Sequence, residues 1–388
     1  MSRWWIIGIL GYFAFAGFAA AQGTISSTAF NPAISFILDG KYAHYSNLAP
    51  ELTGVLAGGE SEAVAAGFSL SESELVASAN VDDKFYGFVV LAAHLDDNAT
   101  ELELEEAWLQ TLTLPGGLGI KAGKFFSGIG YQNSRHPHTW DFVDAPLPYA
   151  ALLGTRVADT GVQLRWLAPT ALFVELGAEL LRGDAFPAAG AADDGTGAST
   201  VFARLGGDLG IAHSWRIGIS LLQGESVARE SMLDTAAVSF DGDTDVSIVD
   251  FVWKWARNGN PRDRNFTVIA EYLKRSEQGA VAGQFGPALG IDESQTGFYV
   301  AGTYQFRPRW RIGARYDGYA AAASLAAIPG VGPVGTDPER LSVMVDWSNS
   351  EFSRLRLQLS GYESGTGSTT AIYLQYVMSI GSHGAHAF

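Results

Sequence analysis

The sequence predicts an all-β chain, a transmembrane antiparallel β-barrel of about sixteen strands. Three observations predict it. Apolar and polar side chains alternate with period 2 along most of the chain, as strands with two unlike faces require. The alternating runs are about 10 to 14 residues long, beyond ordinary sheet strands and close to the roughly 9 to 11 that a tilted strand needs to cross a bilayer. Tight and long connections also alternate, which puts short turns at one rim and long loops at the other.

In chain order, the opening "MSRWWIIGILGYFAFAGFAAAQG" places Arg3 before a short apolar run and Ala19 and Ala21 in an A-x-A pattern. It reads as a secretory signal over residues 1–21, leaving 22–388 as the barrel. The sixteen strands are expected at about 32–46, 68–82, 84–96, 100–114, 117–127, 159–168, 171–183, 199–211, 214–224, 243–258, 264–276, 294–307, 309–320, 338–349, 351–363 and 369–381. Several are clean. "TALFVELGAEL" sets Leu172, Val174, Leu176 and Ala178 against Glu175 and Glu179, and "WRIGISLL" sets Trp215, Ile217, Ile219 and Leu221 against Arg216 and Ser220. "WRIGARYDG" sets Trp310, Ile312 and Tyr316 against Arg311, Arg315 and Asp317, and "SRLRLQLSG" sets Leu355, Leu357 and Leu359 against Arg354, Arg356 and Gln358. The tight turns are "DDK", "PGG", "APT", "AHS", "NGNPRD", "RPR" and "NSE". Connections such as "AAGAADDGTGAS" and "AIPGVGPVGTDPE" are long, while those after strands three and fifteen are short.

Composition narrows the function. A formal charge of -16 opposes a nucleic-acid partner held through phosphates, and zero cysteines exclude disulfides and thiolate chemistry. Nothing after residue 22 reaches the roughly 18 continuous apolar residues of a membrane helix. A closed barrel is the one way for a sheet to cross lipid without leaving backbone groups unpaired. The apolar faces then meet lipid, with Trp166, Trp215, Trp253, Trp255, Trp310, Trp347 and Tyr376 as interfacial anchors. Sixteen strands enclose more space than side chains can fill, so a water-filled channel for small hydrophilic solutes is expected unless something plugs it. A homotrimer in the outer membrane of a Gram-negative bacterium is the expected setting. Lipopolysaccharide there faces the acidic long loops with Glu60, Glu62, Asp193, Asp194, Asp241 and Asp243.

The long third loop, 127–160, can enter the lumen and form the constriction. It carries Arg135, His136, His138, Asp141, Asp144, Arg156 and Asp159, with Pro137, Pro146 and Pro148 limiting its freedom. Wall strands offer Lys121, Arg165, Arg204, Arg216, Arg311, Arg315, Arg354 and Arg356, together with acids that include Glu175, Glu271, Asp317 and Asp346. The sign of any ion preference is left open by this mixture. A second reading is a receptor or metal-uptake barrel in which His136, His138 and Asp141 bind zinc. A His-Pro-His in a loop is more often turn chemistry, so no metal and no cofactor are expected. "GLGIKAG" has no following helix and "DGDTD" lacks the glycine and final Glu of a calcium loop, and no hydrolase, metalloprotease or nucleotide motif occurs, so no catalysis is expected. The ending "TTAIYLQYVMSIG…HGAHAF" places Tyr376 and Phe388 on one parity. They read as a signal for the barrel assembly machinery, with His383 and His386 as passengers.

"ELELEEAWLQTLTLPGGLGIKAGKFFSGIGYQNS" resembles the segment of phosphate-selective porins O and P in which a strand leads into the inserted loop. The present "GKFFSGIG" lacks that family's proline, and its phosphate preference is not carried over. "HPHTWDFVDAP" and "HGAHAF" are similar to porin-like barrels labelled zinc-regulated, TonB-dependent receptors. Such receptors have 22 strands around an N-terminal plug, and the roughly ten residues between position 22 and the first strand leave no room for one. Both resemblances imply a barrel with a pore.

Overall fold

Sixteen strands follow one another around a closed antiparallel ring in the computed structural model of the chain. It describes residues 32–381 apart from 62, 97–98, 191–194, 235, 284–285, 329–336 and 365–366. The expected secretory segment 1–21, Glu62, Asp193, Asp194, His383, His386 and Phe388 lie outside the described residues. The strands are β1 (Ala33–Tyr45), β2 (Gly67–Leu70 and Ser73–Asn80), β3 (Phe85–Asp96), β4 (Ala99–Thr111), β5 (Leu118–Phe126), β6 (Ala158–Leu167), β7 (Phe173–Leu181) and β8 (Ala198–Leu209). There follow β9 (His213–Leu233), β10 (Ala236–Ala256), β11 (Asn265–Ala282), β12 (Leu289–Arg307), β13 (Trp310–Tyr319), β14 (Glu339–Ser350), β15 (Ser353–Ser364) and β16 (Gly367–Gly381). Pairing of β16 with β1, from Ser35↔Gly381 to Tyr45↔Ala371, closes the ring.

Period 2 decides which way each side chain points. Ile217, Ile219, Leu221, Leu355, Leu357 and Leu359 are exposed on the outer surface, while Arg216, Arg354 and Arg356 are buried inside. Aromatics cluster at the short-turn rim by direct cross-strand pairing: Trp215 opposite Trp253, Trp255 opposite Phe266, and Trp310 opposite Trp347. Outward apolar residues and an aromatic girdle make the outer surface that of a transmembrane barrel.

Three features depart from the sequence pattern. First, β9 and β10 continue to Leu233 and begin at Ala236, so the expected loop 225–242 is an extended hairpin, and Asp241 and Asp243 sit on a strand. Polar side chains such as Glu225 and Asp243 hide this extension from hydropathy, since it rises beyond the apolar band. The neighbours β11 and β12 are also longer than expected, to Ala282 and from Leu289.

Second, among the ladder's irregularities two β-bulges lie on β2 and β4. Between the pairs Gly40↔Leu70 and Ile37↔Glu74, three steps on β1 match four on β2. On β4, Glu105 is the extra residue between the pairs Val90↔Glu106 and Leu91↔Leu104. A bulge lets neighbouring side chains share a face that strict alternation would divide.

Third, the lumen is much narrower than the strand number implies, because two loops fold into it. The first, 46–66, buries Val55, Leu56 and Ala57, and Ala57 pairs with Met232. The third, 127–157, buries Ile129, Phe142, Val143 and the short helix α1 (Leu147–Leu153). They pack on inward apolar side chains Leu222, Val246, Ile248, Val252, Ile269 and Leu273 of β9–β11. The wall there is apolar on both faces, as the run "VSIVDFVW" indicates for a strand covered on both sides. Fully burying each Leu of α1 contributes roughly 1.5 to 3 kcal/mol, so this patch holds the loop as a second core.

Candidate functional site

The third loop touches the wall all round the ring. Leaving β5, Ser127 Oγ and the Gly128 amide donate to Glu179 of β7, at 2.5 and 2.8 Å, and the Gly130 amide donates to Ser220 of β9 at 3.0 Å. Glu271 of β11 accepts four bonds of 2.6 to 2.9 Å, from the Tyr131 and Gln132 amides and the Tyr149 and Tyr299 hydroxyls. A buried carboxylate satisfied by four donors is a strong anchor.

Further along, the loop's acids meet a basic sector on β13–β15. Asp144 accepts from Arg315 at 2.7 Å, Arg340 at 2.5 Å, Gln358 at 2.9 Å and Tyr362 at 3.0 Å. Asp141 pairs with Arg311 at 2.9 Å and Arg135 at 3.7 Å, while Asp346 binds Arg311 at 2.6 Å. Arg354 and Arg356 donate to the carbonyls of His138 and Trp140. Burial alone would raise the Asp141 carboxyl, but the Arg311 and Arg135 guanidiniums outweigh it and bring it down to about 2. Arg340 and Arg315 hold Asp144 lower still, against the same opposing burial.

The helix α1 is fixed at both ends. Asp317 accepts from the Leu147 amide at 2.9 Å, and Arg275 donates to the carbonyls of Leu152 and Ala151 at 3.2 and 3.4 Å. A carboxylate at the N-terminus and a guanidinium at the C-terminus match the helix dipole. Arg275 also donates to Leu56 of the first loop at 3.0 Å, so one side chain holds both loops. Gly154 ends the helix with φ 61°, and a Cβ there would collide with the Gly58 carbonyl of the first loop.

The loop's basic residues meet an acidic sector on β2 and β4. Arg156 pairs with Glu72, with Glu105 at 2.8 Å and with Glu60 at 2.6 Å. Glu60 thus turns inward to an ion pair instead of facing outward as expected. His138 Nδ1 lies 2.8 Å from Glu74 Oε1, and His136 Nε2 lies 3.0 Å from Glu106 Oε2. His136 Nδ1 faces Glu74 at 3.4 Å and Glu105 at 3.6 Å. Burial opposes a charge on His136, yet Glu74 and Glu105 outweigh it and hold the imidazole well above the ordinary histidine range.

Most of the residues expected to line a constriction therefore engage one another. Arg204 and Arg165 meet Glu175, Arg216 meets Asp250, and Lys121 lies over the Trp108 and Phe125 rings. The grouping of Asp141 with the two histidines that the second, metal-uptake reading requires is not made, because the arginines of β13–β15 draw that carboxylate to the other sector. Glu74, Glu105 and Glu106 take its place. Their signal in the sequence is a break of parity: "SLSESELV" moves its outward apolar residues from Phe68 and Leu70 to Leu75, and "LELEEAW" puts two glutamates side by side. Beside this cluster a cavity of about 970 Å³ opens, lined by Lys41, Glu60, Glu72, Pro137, Arg340 and Tyr362.

Fold and lumen together define a sixteen-stranded transmembrane β-barrel with a tethered inner loop. The chain belongs to the family of an uncharacterized protein of Aquifex aeolicus (strain VF5), to which it is 30% identical over 344 residues, 83% of this chain and 70% of that one. No family model matches the sequence. Among solved structures, the chain is similar to OprB of Pseudomonas putida, with a TM-score of 0.56, 13% identity, and 90% of this chain and 94% of that one covered. The outer membrane channel DcaP of Acinetobacter baumannii gives 0.55 and 13%, covering 92% and 99%. OmpT, an outer membrane protein of Vibrio cholerae in its trimer form, gives 0.54 and 12%, covering 90% and 99%. At these identities the likeness is one of fold.

Proposed function

We propose that the protein is an outer-membrane porin for passive diffusion of small hydrophilic solutes or ions, with the third loop as its constriction. The carrying observation is that loop's charge sorting: Asp141 and Asp144 go to arginines of β13–β15, while Arg156, His136 and His138 go to glutamates of β2 and β4. A loop held by complementary charges leaves a passage bounded by paired ions of both signs. Solutes are then selected chiefly by size, and the cavity of about 970 Å³ is the outer vestibule. The reading takes from the porin-like resemblances only the pore, and places the barrel in a Gram-negative outer membrane. Folding there would be read from Tyr376 and Phe388 by the assembly machinery. A homotrimer is part of the reading, supported by fold likeness to a barrel described in trimer form. Purified protein in a planar bilayer should give stepwise conductance with weak dependence on ion sign. Silent bilayers containing folded barrels would defeat the reading.

A further inference from the structure

We propose that Glu74, Glu105, His136 and His138 form a binding site for one divalent transition-metal ion, tying the third loop to β2 and β4. Ligand atoms of Glu74, His136 and His138 lie within 4.8 Å of one another, as do those of Glu72, Glu74 and Glu105. Two histidines with carboxylates suit zinc and its first-row neighbours.

Three further observations set this cluster apart from a mere collection of acids. Its spacing is that of ligands sharing an ion. Zinc bonds of about 2.0 to 2.1 Å in a tetrahedron separate the donors by roughly 3.3 to 3.4 Å. His136 Nδ1 lies 3.4 Å from Glu74 Oε2 and 3.6 Å from Glu105 Oε2, whereas a charge-assisted hydrogen bond would close to about 2.7 to 2.9 Å. These three atoms are buried and make no hydrogen bond. Second, the orienting group is built. Glu106 accepts from the Phe126 amide and from Trp108 Nε1, both at 3.1 Å, and its other oxygen meets His136 Nε2. That arrangement sets the ring so that Nδ1 points at Glu74 and Glu105, the carboxylate–histidine–metal relation of zinc proteins. Third, two bulges bring Glu74 and the Glu105–Glu106 pair to the same lumen face. Arg156 pairs with Glu72 and Glu105 but, among the described residues, not with Glu74, beside which a divalent ion supplies positive charge. The vestibule reaches Glu72 and Pro137 and provides the entry path.

The test is calorimetric titration of chelator-treated, folded full-length barrel with zinc, repeated with cobalt to read coordination from its visible spectrum. One ion per chain and a tetrahedral cobalt spectrum are expected. Glu74→Gln, which keeps the side chain's shape, should weaken zinc at least tenfold. Glu106→Gln, which acts through His136, should weaken it tenfold to a hundredfold. Glu103→Gln, on the same strand but paired with Lys124 at 2.8 Å and outside the ligand groups, should bind as wild type does. Wild-type barrel that takes up no stoichiometric ion at millimolar zinc overturns the proposal without recourse to any variant. Unchanged affinity in folded Glu74→Gln overturns it equally. Neither result depends on conductance, so the site and the channel stand or fall separately.

Discussion

Replacing Asp144 by asparagine tests whether charge holds the third loop in the lumen. The substitution preserves shape and removes one negative charge. Asparagine's oxygen can keep the bonds from Arg315 and Gln358, both made to Oδ1, but its NH2 then faces Arg340 and Tyr362, which donate to Oδ2. One charge-assisted bond is lost and two donors are opposed by a third. Asp317 still partners both arginines, so neither guanidinium is left without a carboxylate. The expected cost is about 3 kcal/mol of loop docking, at the low end for breaking a buried ion pair. A loss of that size raises the fraction of undocked loop by roughly a hundredfold. The ladder of β13–β15 is untouched, so barrel stability should change little. Single-channel recording should show larger or noisier openings, and limited proteolysis should cut between residues 127 and 157. Recordings and cleavage identical to wild type in a folded Asp144→Asn barrel would refute electrostatic tethering and leave the apolar packing of α1 as the anchor.

Acid should act on the same tether. Asp141 has its carboxyl lowered to about 2, so its stabilisation is present above the ordinary carboxylate range near 4 and is lost as pH falls through about 2. The conductance difference between wild type and Asp141→Asn should be the same at pH 4 as at pH 7 and vanish only near pH 2; a difference that vanishes between pH 6 and 4 would refute the lowered carboxyl. Arg275→Met should free both inner loops at a cost of about 3 kcal/mol, since the carbonyls of Leu56, Ala151 and Leu152 lose a donor while Glu277 keeps Arg229. Simultaneous protease sensitivity in 46–66 and 127–157 is the readout, and cleavage confined to one loop would contradict the shared anchor. Gly123→Ala should lower the yield of folded barrel, because Gly123 has φ 132° and a Cβ would enter the Ala107 carbonyl, with strain of about 1 to 3 kcal/mol. Wild-type yield on a heat-modifiability gel would count against it.

The strand pattern is local, and so the sequence by itself determines it. Lipid on one side and a polar interior on the other impose period 2 residue by residue, which is why Leu355, Leu357 and Leu359 alternate with Arg354, Arg356 and Gln358 in the chain as in the barrel. Where the environment changes, the pattern fails. The β9–β10 hairpin loses its signal above the lipid band, and β10 loses its alternation where the third loop, at Ile129 and Gly130, covers its inner face. That loop 127–160 carries charge of both signs is plain in the sequence. Which wall residue each charge meets is not, because Asp141 lies three positions from His138 in the chain yet pairs with Arg311, 170 residues away. The first loop's descent into the lumen depends on Arg275, Gln295 and Tyr319, far off in the chain. The glutamate cluster is intermediate: its bulges leave a break of parity on β2 and β4, but only ring closure and the returning loop bring Glu74 and Glu105 to His136. Alternation is written by the solvent on either side of a strand. The meeting of wall and loop is decided by barrel geometry, which joins residues that no local spacing relates.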